Sequence, residues 1–581
     1  MKKFIFLLSL TIVLYSQTKP EINSNDIKYY IEYLASDKLE GRFTGTVGEK
    51  LAGDFIAQHY KKLGLKPLFN GNYFQEFEVL NKIEISNENK LQFIISNNSF
   101  EAKLYEDFVP LVFSDNQNSF AENGYIAGFG ISKKEYDNLK DLNLKDKFVI
   151  IFDGLPKKYE KDRQFYVDLR SKVRNLIDKG AKNILIVYDV INNKKLPKKV
   201  ELDNSPVYKN TAIFYISKNY LKNVLKNNKI DFDTLFNGYH FSNNVLPFEL
   251  KNINVKYTSD LRRIYSKARN VAAIIDNNSN EYLVIGAHYD HLGWGEFNSL
   301  YTGDTPQIHN GADDNASGTA GVMELAEYFA THKEKLKYNL IFVNFTGEEL
   351  GLLGSAYFVK NSPIPLEQIK AMINFDMIGR LDTLNSLTIN GTGTSSVWKN
   401  LIDSVNYTYK FNISKIDDGY SPSDNTSFYA QNIPVLFFFT GLHKDYHRPS
   451  DDADKINFSG ESVVLNYAKD LILSMQNKEF DVIITPRKKE TRMSYKVYVG
   501  TVPDFSFSGQ GYKISSVTKD SPADKAGIKG GDIIVKFGEV NVANIYDYTY
   551  ALSKYNIGDE VDVVVQRNTE QLKLKVVLTG R

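Results

Sequence analysis

The chain has 581 residues, of which 42% are hydrophobic and 24% charged, and its 71 basic and 70 acidic side chains leave a formal charge of +1. That length exceeds what one hydrophobic core fills, so several domains are expected, and the near-neutral balance argues against nucleic acid as a partner. There is no cysteine, which excludes disulfides, thiol nucleophiles, thiolate metal sites and a lipidated N-terminal cysteine; any metal here is held by His, Asp and Glu.

Met1-Lys2-Lys3, the apolar run at 4–15 and the small Ser16 have the pattern of a signal peptide over residues 1–16, with the mature chain starting near Gln17. The run is too short to span a bilayer comfortably and no later stretch is apolar enough. A secreted or periplasmic protein with no stable membrane insertion is expected. Residues 20–72 follow as a helical segment. Ile27, Tyr30, Ile31 and Leu34 recur at helical spacing, and Ala52, Phe55, Ile56 and Tyr60 mark a second helix that stops at Leu63-Gly64. Neither helix carries a catalytic set, and both are expected to pack on the domain that does.

Residues 73–245 change texture, alternating short apolar strands with Asn/Lys-rich turns, with one helix at about 168–179. An α+β or β-rich insert is expected. From Asn270 the pattern becomes buried strand, loop, helix, repeated. Continuous apolar runs at 282–287, 340–345, 371–375 and 433–439 read as strands covered on both faces, so residues 246–477 are expected to form an α/β domain with a mostly parallel central sheet flanked by helices. Pro486 and a charge cluster mark a linker at 478–490. Residues 491–581 form a last unit of short strands, a turn with a short helix, and a helix at 544–555.

The polar motifs of the α/β region sit at or just after its strands. They are Gly286-Ala287-His288-Tyr289-Asp290-His291, Gly311-Ala312-Asp313-Asp314-Asn315, Gly347-Glu348-Glu349, Asn374-Phe375-Asp376 and Asp445-Tyr446-His447. Ligands of such sheets bind beyond the carboxyl ends of the strands. Two histidines and several carboxylates arriving together are the ligand set of divalent metals. His291, His309 and His443 are candidates for lining the pocket, Trp294 for its wall and Asp424 for a substrate contact. His59, His240 and His332 read as surface or packing residues.

These motifs, in this order, resemble the bacterial zinc aminopeptidase family that includes the two-zinc leucine aminopeptidases, over about 270–477 with a weaker match at 34–42. The resemblance implies a zinc exopeptidase fold and two Zn2+ per chain. It assigns His288 and Asp376 to one metal, His447 and Glu349 to the other, Asp313 as the bridge and Glu348 as the general base. Asp290 would orient the His288 imidazole and Tyr446 would help to stabilise the oxyanion. Asn425 stands where the family commonly has histidine. Related folds include carboxypeptidases and glutaminyl cyclases, and a catalytically inactive peptide-binding protein is the reading from another class. Segments 124–130, 147–150 and 179–182 resemble a protease-associated domain. Ser521-Pro522-Ala523, Ala526-Gly527-Ile528 and Gly531-Asp532-Ile533-Ile534 resemble a PDZ domain, which implies an extended peptide added along the Tyr512 to Val517 edge. Peptide or protein substrates are the implied partners.

Overall fold

The computed structural model describes residues 21–580 apart from 134–135, 161–166, 193, 199–201, 203–206, 243–245, 304, 486–496, 504–508, 519, 544 and 553. The expected signal peptide and residues 486–490 of the expected linker lie outside the described residues.

The largest sheet has nine strands. Its centre is the parallel set Asn339–Phe345, Tyr282–His288, Ile369–Phe375 and Val435–Phe439, in that spatial order. Both faces of this set are covered. Leu283, Ile285 and Ala287 enter one core with the helices Gly318–Thr331 and Phe458–Met475, while Val284 and Ile341 enter a second core with Leu353–Lys360 and Asn425–Tyr429. Two-sided burial is why these strands read as unbroken apolar runs, and each such side chain contributes about 1.5–3 kcal/mol of transfer free energy. The outer strands are mixed. Leu261–Ile275 runs antiparallel to Asn339–Phe345, and Ser386–Asn390 runs antiparallel to Val435–Phe439 and parallel to Asn412–Ile416.

Helices Ser24–Leu34 and Val47–Lys62 belong to this layer. The Asn23 side chain caps the first by accepting from the Asn25 and Asp26 amides, and Ile27, Ile31, Leu34, Ala52, Ile56 and Tyr60 join the core of the Gly318–Thr331 helix.

Strand pairing redraws one expected boundary. Phe74–Ile85 pairs along Leu261–Ile275 in the large sheet, whereas Phe248–Ser259 pairs with Lys90–Ile95 and Gln117–Ile126 in an eight-stranded second sheet. The second sheet therefore reaches Ser259 and is closed by the two flanking strands. It holds its own parallel set, Gln117–Ile126, Phe148–Phe152, Asn183–Val187 and Ala212–Ile216, which makes it α/β in character rather than β-rich.

In the C-terminal unit the strand order is Thr501–Pro503, Tyr512–Val517, Ile533–Phe537, Glu560–Arg567, Glu570–Val577. Tyr512–Val517 is thus not an edge: it pairs with Thr501–Pro503 on one side and Ile533–Phe537 on the other. Its ladder runs to Thr501–Pro503 over 514–517 and to Ile533–Phe537 over 512–513, and the outer strand on that side is Thr501–Pro503. Thr501 Oγ1 lies 2.8 Å from Tyr548 Oη on the helix Ile545–Leu552. That helix meets the insert, where Arg174 Nη1 stands 3.4 Å from the buried Asp547 carboxylate.

Candidate active site

Four parallel strands ending on one side of the sheet deliver the polar motifs to one place. His288 is the last residue of its strand, and Glu348-Glu349 and Asp376 follow theirs. His447 comes from the loop after Val435–Phe439. All of these are buried except Glu348, whose side chain is 12% exposed.

The two adjacent acids of the Gly311 motif part company. Residues 312–317 form a kinked turn in which Asp314 and Asn315 leave helical geometry. Asp313 is turned away from His288 and His447: its carboxylate accepts from the Gly379 amide at 2.7 Å and Ser317 Oγ at 3.0 Å, and pairs with His443 Nε2 at 3.2 Å. Asp314 is the residue that lies between the histidines. Its Oδ1 is 3.5 Å from His288 Nε2 and its Oδ2 is 3.3 Å from His447 Nε2. The bridging position expected for Asp313 is therefore occupied by Asp314. Asp451 holds the turn by accepting from both the Asp313 and Asp314 amides at 3.0 Å, and Arg380 neutralises Asp451 at 3.0 Å.

The rest of the set divides around Asp314. His288 Nε2 is 3.5 Å from Asp376 Oδ2, which Ser423 Oγ also meets at 2.7 Å. His447 Nε2 is 3.3 Å from Glu349 Oε2. Each imidazole turns its Nδ1 to a backbone carbonyl, His288 to Asp290 at 3.2 Å and His447 to Asn298 at 2.9 Å. A carbonyl only accepts, so Nδ1 carries a proton in each ring, and Nε2 is the atom turned toward the acids.

Three observations bear on what such a cluster holds. Nε2-to-oxygen separations of 3.3–3.5 Å are long for hydrogen bonds. They match the roughly 3.3 Å between neighbouring ligand atoms on a tetrahedral ion with bonds of about 2.0–2.1 Å. His288 Nε2 and Asp314 Oδ2 are buried with no hydrogen-bond partner. The carboxylates outnumber the imidazoles, and burial together with the negative neighbours Glu349, Asp376 and Asp424 pushes the Glu348 carboxyl well above its ordinary range. A divalent cation satisfies the lone pairs and the surplus charge together.

Asp290 faces the His288 imidazole, as expected, and has a second set of contacts. Its carboxylate lies 3.6 Å from His288 Nδ1, farther than its own carbonyl, and also accepts from the Glu348 amide at 3.2 Å and Thr44 Oγ1 at 2.9 Å. It secures the Glu348 loop. The Tyr446 ring stacks on His447 at 3.8 Å, and burial beside Asp314 and Glu349 raises its hydroxyl pKa, so it stays protonated and able to donate. Asp424 is fully buried in the same cluster, its carboxyl pushed up to about 7 by burial. His309 bonds Ser299 Oγ and the Gln307 carbonyl, and Trp294 is exposed.

Two residues are drawn further into the site than the sequence implies: His291, expected to line the pocket, and Arg42, at the end of the weaker match over 34–42. His291 is fully buried with Nδ1 2.7 Å from Glu349 Oε1. Arg42, from the N-terminal segment, is also fully buried. It donates from Nε to the Tyr289 carbonyl (2.8 Å) and from its Nη atoms to the carbonyls of Leu34, Asn310 (2.6 Å) and Gly311 (3.0 Å). It thereby ties the His288 loop to the Asp314 turn. Gly41 beside it has φ +69°, and a Cβ there would stand 2.5 Å from the carbonyl oxygens of Gly293 and His309. Replacing Arg42 with Met strips donors from four backbone carbonyls, each costing about 1–3 kcal/mol when left bare. Arg42→Met is expected to lose at least about 3 kcal/mol in urea denaturation and to bind metal poorly; an unchanged midpoint would refute this role.

Residues 270–470 match the model of peptidase family M28, and residues 484–578 match that of the PDZ domain; the chain carries an M28 peptidase domain followed by a PDZ domain. Among curated proteins it is similar to a probable leucine aminopeptidase of Arthroderma otae, 27% identical over 200 residues that make up 33% of this chain and 53% of the relative. It is also similar to leucine aminopeptidase 2 of Trichophyton rubrum, 28% identical over 31% of this chain and 38% of the relative. A probable zinc metalloprotease of Pyrenophora tritici-repentis is 35% identical over 22% of this chain and 28% of the relative. The chain spans about half or less of the length of these relatives. Among solved structures it resembles the aminopeptidase from Aneurinibacillus sp. strain AM-1, with TM-score 0.49 and 21% identity, covering 81% of this chain and 97% of the other.

Proposed function

We propose that the chain is an exported aminopeptidase that uses two zinc ions. The observation that carries this reading is Asp314, one carboxylate whose two oxygens face two different imidazoles, each with its own acid. His288, Asp376 and Asp314 Oδ1 would hold one ion, and His447, Glu349 and Asp314 Oδ2 the other. Ions held there would supply Lewis acidity at a scissile carbonyl and lower the pKa of a water. Glu348, beside this set but 3.9 Å from His288 Nε2, takes the proton of the attacking water and returns it to the leaving amine. Asp290 holds the Glu348 backbone, and the Tyr446 hydroxyl donates to the developing oxyanion. Glu348 and Asp376 are acids placed to receive a free substrate ammonium. The N-terminal sequence supports export, and among the described residues no helix is long and apolar enough to cross a membrane. A peptide at the PDZ domain would add to Thr501–Pro503, the outer strand of its sheet.

The test is turnover of a panel of aminoacyl and peptidyl chromophores, free and N-acetylated. Cleavage of the free-amine substrates alone is expected. Equal cleavage of acetylated substrates would move the assignment to an endopeptidase or carboxypeptidase. Release of pyroglutamate from glutaminyl substrates would make it a cyclase.

A further inference from the structure

The pair His291–Glu349 differs in kind from the other contacts of the cluster. The imidazole and carboxylate atoms assigned above to a shared ion stand 3.3–3.5 Å apart, as separate ligands do. His291 Nδ1 stands 2.7 Å from Glu349 Oε1 and 3.9 Å from Asp314 Oδ2: it is hydrogen-bonded to the one acid and beyond hydrogen-bond reach of the other, although the three side chains lie close enough together to surround an ion. An ionised carboxylate only accepts, so Nδ1 carries the proton and donates. His291 Nε2 is buried without a hydrogen-bond partner, consistent with that tautomer. The bond takes one oxygen of Glu349 and leaves the other, Oε2, facing His447 at 3.3 Å. The His291 backbone is itself clamped, its amide donating to the Arg42 carbonyl at 3.2 Å. Nothing comparable touches the first site through an imidazole: Asp376 is held by the Ser423 hydroxyl.

We infer that His291 is a positioning residue for the second metal site: it fixes Glu349 as a one-oxygen ligand and thereby sets the affinity of the His447 site apart from that of the His288 site. This deepens the two-zinc reading and rests on it. A fixed carboxylate loses less entropy on binding, and donation from an outer residue tunes the ligand. Removing such partners costs about 10–100-fold in metal affinity.

The experiment is calorimetric titration of the stripped full-length protein with zinc, for the parent, His291→Phe and His291→Asn, with thermal melts of each stripped protein as a control for folding. Asn is chosen because its Nδ2 occupies the place of Nδ1 and can still donate. His291→Phe is expected to keep one tight equivalent and to weaken the other about 10–100-fold, while His291→Asn stays within a few-fold of the parent for both. Equal weakening of both equivalents in both variants, or two parent-like equivalents in His291→Phe, would overturn the inference and leave the two-zinc reading standing. A parent that binds only one zinc would instead defeat the two-zinc reading itself. If His291→Phe melts early when stripped, His291→Asn against His291→Gln, which moves the donor off the Nδ1 position, decides the same question.

Discussion

Glu348→Gln is expected to lower kcat by about 10²–10⁴-fold while KM moves little and the bound metal is unchanged. The substitution keeps size and hydrogen bonding but removes the ability to take a proton. Glu348 is also the acid of the cluster that stands apart from both imidazoles, 3.9 Å from His288 Nε2 against 3.3–3.5 Å for the acids of the two metal sites. Metal retention should follow from that separation. Steady-state kinetics beside elemental analysis reads both quantities. A variant that keeps its kcat within a few-fold, or one that loses its metal, would remove Glu348 from the role of base.

Asp314→Asn and Asp313→Asn, made side by side, should differ sharply although the residues are neighbours of the same type. Two divalent ions held by this cluster would repel each other, and a shared carboxylate would offset that repulsion. Only Asp314 offers an oxygen to each imidazole. Asp314→Asn is therefore expected to bind at most one metal and to lose at least about 10²-fold in kcat/KM. Asp313→Asn still accepts from the Gly379 amide and Ser317 Oγ, so it is expected to keep both metals and to lose about tenfold or less. The reverse order of effects would restore Asp313 to the bridge and show that the turn at 312–317 is folded differently with metal bound.

The C-terminal unit carries a related lesson about pairing. Residues 512–517 are apolar enough to be a strand and lie in the right order for a peptide-binding edge, but an edge is defined by what lies next to it. Thr501–Pro503, a three-residue strand containing a proline, has too little hydrophobic pattern to be read as the outer strand, and it is what covers Tyr512–Val517.

Residues 246–259 show the same limit. Phe248–Ser259 alternates as a half-buried strand does, and nothing in that alternation says whether its partner comes from residues before or after it. Its hydrogen bonds to Lys90–Ile95 and Gln117–Ile126 are long-range choices made by the second core.

Much of the molecule was decided locally. The parallel centre of the large sheet follows from apolar runs long enough to be buried on both faces. The helices Ser24–Leu34 and Val47–Lys62 follow from their spacing and caps. The convergence of His288, Glu348, Glu349, Asp376 and His447 follows because each stands at or after the carboxyl end of a strand in one parallel set, where the sheet itself gathers them. With no cysteine in the chain, any metal would be held by His, Asp and Glu.

What only the tertiary structure decided is which of several equivalent groups faces inward. Asp313 and Asp314 have the same chemistry, and the kinked turn pinned by Asp451 points one at the imidazoles and the other at Gly379 and Ser317. His291 reads in sequence as one more histidine beside the motif, and its role exists only through a carboxylate 58 positions away. Arg42 lies in a segment with no catalytic pattern and reaches the site only because the N-terminal helices pack against the same core. Residue type and periodicity are properties of the chain near a position, whereas the direction of a side chain in a loop is set by hydrogen bonds to distant backbone, and those come into being only when the sheet closes.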